Sequence, residues 1–256
     1  VRVSVLSQDR KINKASKWFD SGEHPTISLE TNRGYSLRGS FNHPVLVWQE
    51  NQMTKEPYFA WKLLSKIEEG DVVVLDRTPD KLWPEKYFNL RSFVPKIKNK
   101  RVELKILPTH LTEDLAGLLG LLVSEGTIRK KKIEFCNSDK DLIKKFQKSW
   151  HKVFPDCKLH VFDRSPSSYG KKPYQVVEIH SQYVIGFLRS IGLTPVLLKE
   201  KTVPFSVLQS TKSVVASFLQ AYFEGDGSIS FSNKMIELSC CSKSERMLKD
   251  MQVLFL

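Results

Sequence analysis

Residues 115–126 read LAGLLGLLVSEG and residues 219–227 read LQAYFEGDG. Each is an apolar run of helical character that stops at one acid followed by glycine, at Glu125-Gly126 and at Asp226-Gly227. Aligned on the acids, Gly120 falls on Ala221 and Ser124 on Gly225. Small residues recur at helical spacing, at Gly117, Gly120 and Ser124 in one run and at Ser217, Ala221 and Gly225 in the other, so each helix has one shaved face. Two such faces pack with their backbones almost touching. The closing glycine lets the chain turn at the helix end, and the pairing brings two carboxylates to the bottom of one helix pair. Unshielded carboxylates repel and one stays protonated. A divalent cation between them removes the repulsion and supplies Lewis-acid and hydroxide chemistry. Two helices of an ordinary core would also give Leu- and Gly-rich runs, but would not require the small positions and terminal acids to match.

The rest of the chain is compatible with a globular protein that meets a polyanion. Its 256 residues can bury one or two cores. A net charge of +12, split evenly on either side of Pro108, suits phosphate binding through counterion release rather than a basic tail. Cys136, Cys157, Cys240 and Cys241 have neither CxxC spacing nor a histidine partner at zinc-ligand distance, so zinc is not expected and reduced thiols of a cytoplasmic compartment are. No apolar run reaches about 18 residues and no signal peptide is visible, so no membrane partner is expected. The chain opens on Val1 and stops at MQVLFL inside a helical pattern, which reads as a piece of a longer translated chain.

Along the chain, residues 1–77 have β character, with short apolar stretches between turn signals and one short helix expected near 60–66. Residues 78–107 hold Pro79, Pro84, Pro95 and the basic cluster PKIKNKRVELK, and read as a linker or a DNA-contacting segment. From Leu111 the pattern is helical, with Thr112 as N-cap and Glu113 and Asp114 in the first turn. TIRKKKIEFCNSD reads as one strand on which Arg129 and Lys131 share a face and Lys130 and Lys132 the other. A helix near 140–154, two strand-like runs joined by a loop at 164–173, and a helix near 182–191 follow. The order then restarts at Lys212, giving domains at 108–210 and, cut short, 211–256.

The paired motif resembles that of the LAGLIDADG homing endonucleases, the dodecapeptide class found inside inteins. The resemblance implies an α+β fold of αββαββα repeats, the second truncated. It also implies a metal-dependent enzyme that hydrolyses phosphodiester bonds of double-stranded DNA, with Glu125 and Asp226 holding catalytic Mg²⁺. The family's catalytic lysine lies in a K-x-[VI]-P stretch shortly before the second motif, which Lys201-Thr202-Val203-Pro204 matches; it would stabilise phosphate charge or lower the pKa of attacking water. Strands in the major groove would bring Arg129, Lys130, Lys131 and Lys132 to DNA, and Arg164, Lys171 and Lys172 in the inter-strand loop are candidates for phosphate contacts.

The amino-terminal segments FDSGEHPTISLETNRGYSLRGSFNHPVLV and WKLLSKIEEGDVVVL resemble the amino-terminal half of a Hint-type intein splicing domain, especially those inserted in gyrase A proteins. In inteins a Thr-x-Asn-His block holds the amino-terminal scissile bond, and here Ser40-Phe41-Asn42-His43 stands in its place. Ser40 keeps the hydroxyl but lacks the rigid β-branch of threonine. The imidazole of His43 suits proton donation near neutral pH. The resemblance implies a parent that splices itself out of host protein fused on both sides and cuts the intein-less allele, acting as a monomer. A LAGLIDADG RNA maturase, a DNA-binding module with a decayed nuclease, and a pure autoprocessing domain are the rival readings.

Overall fold

The computed structural model describes residues 3–6, 11–77, 83–96, 102–166, 172–196, 198–232 and 235–256. The chain divides into two compact units, residues 1–82 and 83–255. No helix among the described residues is long and apolar enough to cross a membrane.

The first unit is all β apart from one turn. Strands β1 (Val3–Leu6) and β2 (Ile12–Ala15) form one antiparallel hairpin, and β3 (Thr26–Glu30) and β4 (Ser36–Ser40) another. β5 (Pro44–Glu50) lies between β6 (Pro57–Leu63) and β7 (Val72–Val73). Val45, Val47 and Leu64 are its buried apolar residues. The helix expected near 60–66 is instead strand as far as Leu63, followed by a 3₁₀ turn at Leu64–Lys66. The reason is cross-strand pairing: Trp48 faces Phe59 and Leu46 faces Trp61, so aromatic and aliphatic neighbours hold this segment extended.

The second unit runs α1 (Glu113–Ser124), β8 (Gly126–Ile128), β9 (Ile133–Asn137), α2 (Lys140–Val153), β10 (His160–Arg164), β11 (Tyr174–Ile179) and α3 (Gln182–Ser190). It continues with α4 (Phe205–Leu208), α5 (Lys212–Asp226), β12 (Gly227–Ser232), β13 (Met235–Cys240) and α6 (Glu245–Leu254). The first four of these strands form one antiparallel sheet in the order β10-β11-β9-β8, and β12 and β13 form a separate hairpin. Ile133, Phe135, Val177 and Ile179 are buried. Behind them, the rings of Phe135, Phe146, Trp150, Phe154 and Phe187 run in contact through α2 to α3.

Local chemistry explains the helix ends. The Asp139 carboxylate accepts from the amides of Asp141 and Leu142 and so opens α2; Ser181 and Ser244 do the same for α3 and α6. Thr112 occupies the N-cap of α1 without a side-chain cap bond. The stretch 83–96, read from sequence as linker or DNA-contacting segment, contributes Leu90 to the core, with Trp83, Phe88 and Phe93 packed against it.

The single strand expected over TIRKKKIEFCNSD is a hairpin. Arg129–Lys132 form the turn between β8 and β9, closed by the Arg129 amide donating to the Lys132 carbonyl at 2.8 Å. This places Ile128 opposite Ile133 and lets successive cations splay into solvent, whereas an extended strand would line them along a sheet. The two-face alternation expected for these four residues therefore does not occur.

Candidate active site

Helix α1 is apolar around its circumference and is buried from Leu115 to Ser124 except at Gly117, so it lies inside the unit rather than on it. It packs against α5. The Ser213 hydroxyl donates to Glu113 at 2.6 Å where both helices begin. Farther along, a Cβ added at Gly120 would stand 2.4 Å from the Phe218 carbonyl oxygen and 2.9 Å from the Ala221 Cβ. At the far end a Cβ on Gly225 would stand 2.3 Å from the Ser124 Oγ and 3.1 Å from the Glu125 Cγ. The helices thus run parallel and touch at the matched small positions, and backbone meets backbone only because side chains are missing there.

Both acids arrive at the end of this pair. α5 includes Asp226 as its last residue, and Glu125 caps α1. The glycines that follow are required for a different reason than a left-handed turn. Neither has positive φ; a Cβ on Gly126 or Gly227 would stand 2.3 Å from the carbonyl oxygen of Leu122 or Phe223, so only glycine lets the chain fold back so closely.

The electrostatics are those of two acids confined together. Burial first, and then the negative charge of Asp226, push the Glu125 carboxyl above the usual glutamate range, against hydrogen bonding from Asn137 and the Lys201 charge. Burial also pushes Asp226 up, opposed by Lys201 and a hydrogen bond from Tyr222. Lys201 follows a 3₁₀ turn at Leu198–Glu200 and is itself held below the usual lysine range by burial, with both acids opposing. Its Nζ donates to the carbonyls of Val123 at 2.6 Å and Ser124 at 3.3 Å, a cation on the carbonyl end of α1. Burial also holds the proton on the Tyr222 phenol well above the usual tyrosine range. Glu125, Asp226 and Lys201, separated widely in sequence, are brought together.

These shifts have a consequence for stability. A carboxyl whose folded pKa is raised binds its proton more tightly folded than unfolded, so stability falls as pH rises from the ordinary carboxylate value of about 4 through the raised value. Glu125→Gln removes that loss. In chelator, its unfolding midpoint at pH 8 is expected to exceed wild type by about 1 kcal/mol, or roughly 2–4 °C. Thermal unfolding at pH 5 and pH 8 reads the difference, which should shrink at the lower pH.

The basic candidates separate into two groups. Arg129 and Lys132 are tied to acids on the sheet: Arg129 to Glu134 at 2.5 Å, and Lys132 to Glu134 and Glu178, both at 2.8 Å. Burial works against the Glu134 charge, yet Lys132 and Arg129 hold its carboxyl below the usual range. Lys130 and Lys131 are exposed at the hairpin tip. Arg164 ends β10 with its guanidinium 5.4 Å from the Phe162 ring centroid, and Lys172 is exposed; Lys171 lies outside the described residues. Two residues of the site, Asn137 and Tyr222, are not evident from sequence reasoning. Tyr222 stands one helical turn before Asp226, a spacing that signals it; Asn137 needs the strand register.

In the first unit, Ser40, Asn42 and His43 form the turn between β4 and β5. The His43 amide donates to the Ser40 carbonyl at 3.0 Å, the Ser40 hydroxyl donates to Asn42 Oδ1 at 2.8 Å, and the His43 side chain is exposed.

The sequence profile of the LAGLIDADG-like domain matches residues 112–192 and 213–256, the two stretches that contain α1 and α5. These residues form a LAGLIDADG-like domain. Over its whole length the chain is 28% identical to part of the DNA gyrase A protein of Mycolicibacterium flavescens and 29% identical to part of that of Mycobacterium malmoense, covering 42% and 49% of those proteins. This is the match expected of a gyrase A intein carrying a LAGLIDADG endonuclease. Over 91% of its length it is also 24% identical to part of the A component of the A-type ATP synthase of Pyrococcus abyssi, covering 21% of that protein. The chain therefore spans less than half the length of these curated relatives.

Proposed function

We propose that this chain belongs to an intein whose inserted homing endonuclease hydrolyses double-stranded DNA. The convergence of one carboxylate from each of two matched helices, with Lys201 beside them, carries this reading. Support also comes from the relatives: one stretch shared by gyrase and ATP synthase proteins is what an inserted element would produce.

The donor set fits a hard cation. Glu125 and Asp226 offer oxygen ligands, and among the described residues no group of three or more His, Cys, Asp or Glu side chains forms a protein-only cage. Mg²⁺ is commonly held by one or two carboxylates, with waters and substrate phosphates completing its shell. Bound there, it would polarise the scissile phosphate and make hydroxide available near neutral pH. Lys201 places positive charge beside the leaving oxygens. Lys130, Lys131, Arg164 and Lys172 would add phosphate contacts, so affinity should fall steeply with salt.

The test is linearisation of a plasmid bearing the uninterrupted host gene by the full-length protein in millimolar Mg²⁺. Binding without cleavage would leave a DNA-binding module only. The first unit is assigned to splicing, with Ser40, Asn42 and His43 around the amino-terminal junction. His43→Ala in the full-length protein is expected to block cleavage at that junction while DNA cutting persists, as read by gel electrophoresis of precursor and plasmid. Equal loss of both activities would indicate unfolding instead.

A further inference from the structure

Matched through their strand registers, the two acid sites are not alike. Gly126 lies opposite Phe135 and Gly227 opposite Cys240, which puts Asn137 in correspondence with Ser242 and the N-caps Asp139 and Ser244 in correspondence with each other. The correspondence extends to hydrogen bonds. The Asp139 amide donates to Asn137 Oδ1 at 2.7 Å, and the Ser244 amide donates to Ser242 Oγ at 3.1 Å. With its oxygen so engaged, the Asn137 side-chain amide donates to Glu125.

The second site reaches its acid through an additional residue. Ser242 hydrogen-bonds the Tyr222 phenol, and the phenol donates to Asp226. Tyr222 is 1% exposed, wedged where α1 and α5 meet, with its amide nitrogen 3.0 Å from the point a Gly120 Cβ would occupy. A phenol this deeply buried must donate to something, and a chain of such bonds polarises along its length. The first motif has Leu121 at the equivalent position, which can donate nothing.

We infer that Tyr222 is a positioning residue that fixes the Asp226 carboxylate, and that the two halves of the site, one set by Asn137 and one by the Ser242–Tyr222 pair, cut their strands unequally. The inference rests on the nuclease reading above. Partners of metal-holding side chains typically change metal affinity or activity by about 10- to 100-fold when removed, so the asymmetry is measurable.

The experiment uses the full-length protein on a supercoiled plasmid carrying the target, with strand-resolved products. Tyr222→Phe keeps the ring in its packing and removes only the hydroxyl. It is expected to slow one strand about tenfold and accumulate nicked circles, with roughly several-fold more Mg²⁺ needed for half-maximal rate. DNA affinity should not change. Asn137→Ala is expected to slow the other strand. Ser242→Ala should slow the same strand as Tyr222→Phe but less, and serves in its place if Tyr222→Phe does not fold. Equal slowing of both strands by the Tyr222 and Ser242 variants, or no slowing, overturns the inference. Wild type that leaves the plasmid intact overturns the nuclease reading. Binding of Mn²⁺, followed by electron paramagnetic resonance, then decides the positioning role: weaker binding by Tyr222→Phe sustains it and unchanged binding refutes it.

Discussion

Gly120→Leu is expected to lower the unfolding midpoint by about 10 °C or to prevent the second unit from folding. Even the first added carbon would stand 2.4 Å from the Phe218 carbonyl oxygen and 2.9 Å from the Ala221 Cβ. Neither atom can give way, because one is helical backbone and the other is fixed to it. Relief requires α1 and α5 to separate, and overpacking of this kind costs about 3 kcal/mol or more, at roughly 2–4 °C per kcal/mol for a unit of this size. Gly117→Ala, one turn away on the same helix, should do the opposite. The nearest atom to its Cβ is the Ser217 carbonyl oxygen at 3.9 Å, ordinary contact, and alanine is favoured over glycine in a helix by about 0.5–1 kcal/mol. Thermal unfolding of the two variants measures both signs. A tolerated leucine at 120 would mean that the helices do not pack as described.

Asp226→Asn or Glu125→Gln in the full-length protein is expected to reduce double-strand cleavage by at least about 10³-fold, comparable to the loss of other groups that act as a unit in a reaction. Both substitutions preserve shape and remove charge, so helix packing should persist. DNA affinity should hold within about twofold or improve, because binding is distributed over many cations and a nearby negative charge is removed. Single-turnover cleavage and a binding titration at fixed salt separate the two effects. A proportionate loss of both would assign these acids to DNA binding.

The helix pair is legible in sequence because its signal is local and repeated. Gly117, Gly120 and Ser124 mark one face by spacing alone, and the same spacing at Ser217, Ala221 and Gly225 supplies the partner. Lys201 is legible only through the K-x-V-P resemblance, since nothing local distinguishes it from other lysines in the KEKT run. The hairpin at 129–132 is not legible: four consecutive cations have no apolar alternation to mark where a strand stops, and the turn is set by the pairing of Ile128 with Ile133. Asn137 depends on strand register, a property of two segments together. Strand β6 reads as helix in part because Ala60, Lys62 and Leu64 are its less exposed positions with period two, a pattern that a lysine disguises.

The central claim is that Glu125 and Asp226, delivered by two helices, act on one cation-bridged phosphate. The most direct test is binding of Mn²⁺ to the full-length protein on its target duplex, with wild type compared against the Glu125→Gln, Asp226→Asn double variant. The account predicts saturable binding in wild type that the double variant loses while it stays bound to DNA. Undiminished Mn²⁺ binding by the double variant would contradict it.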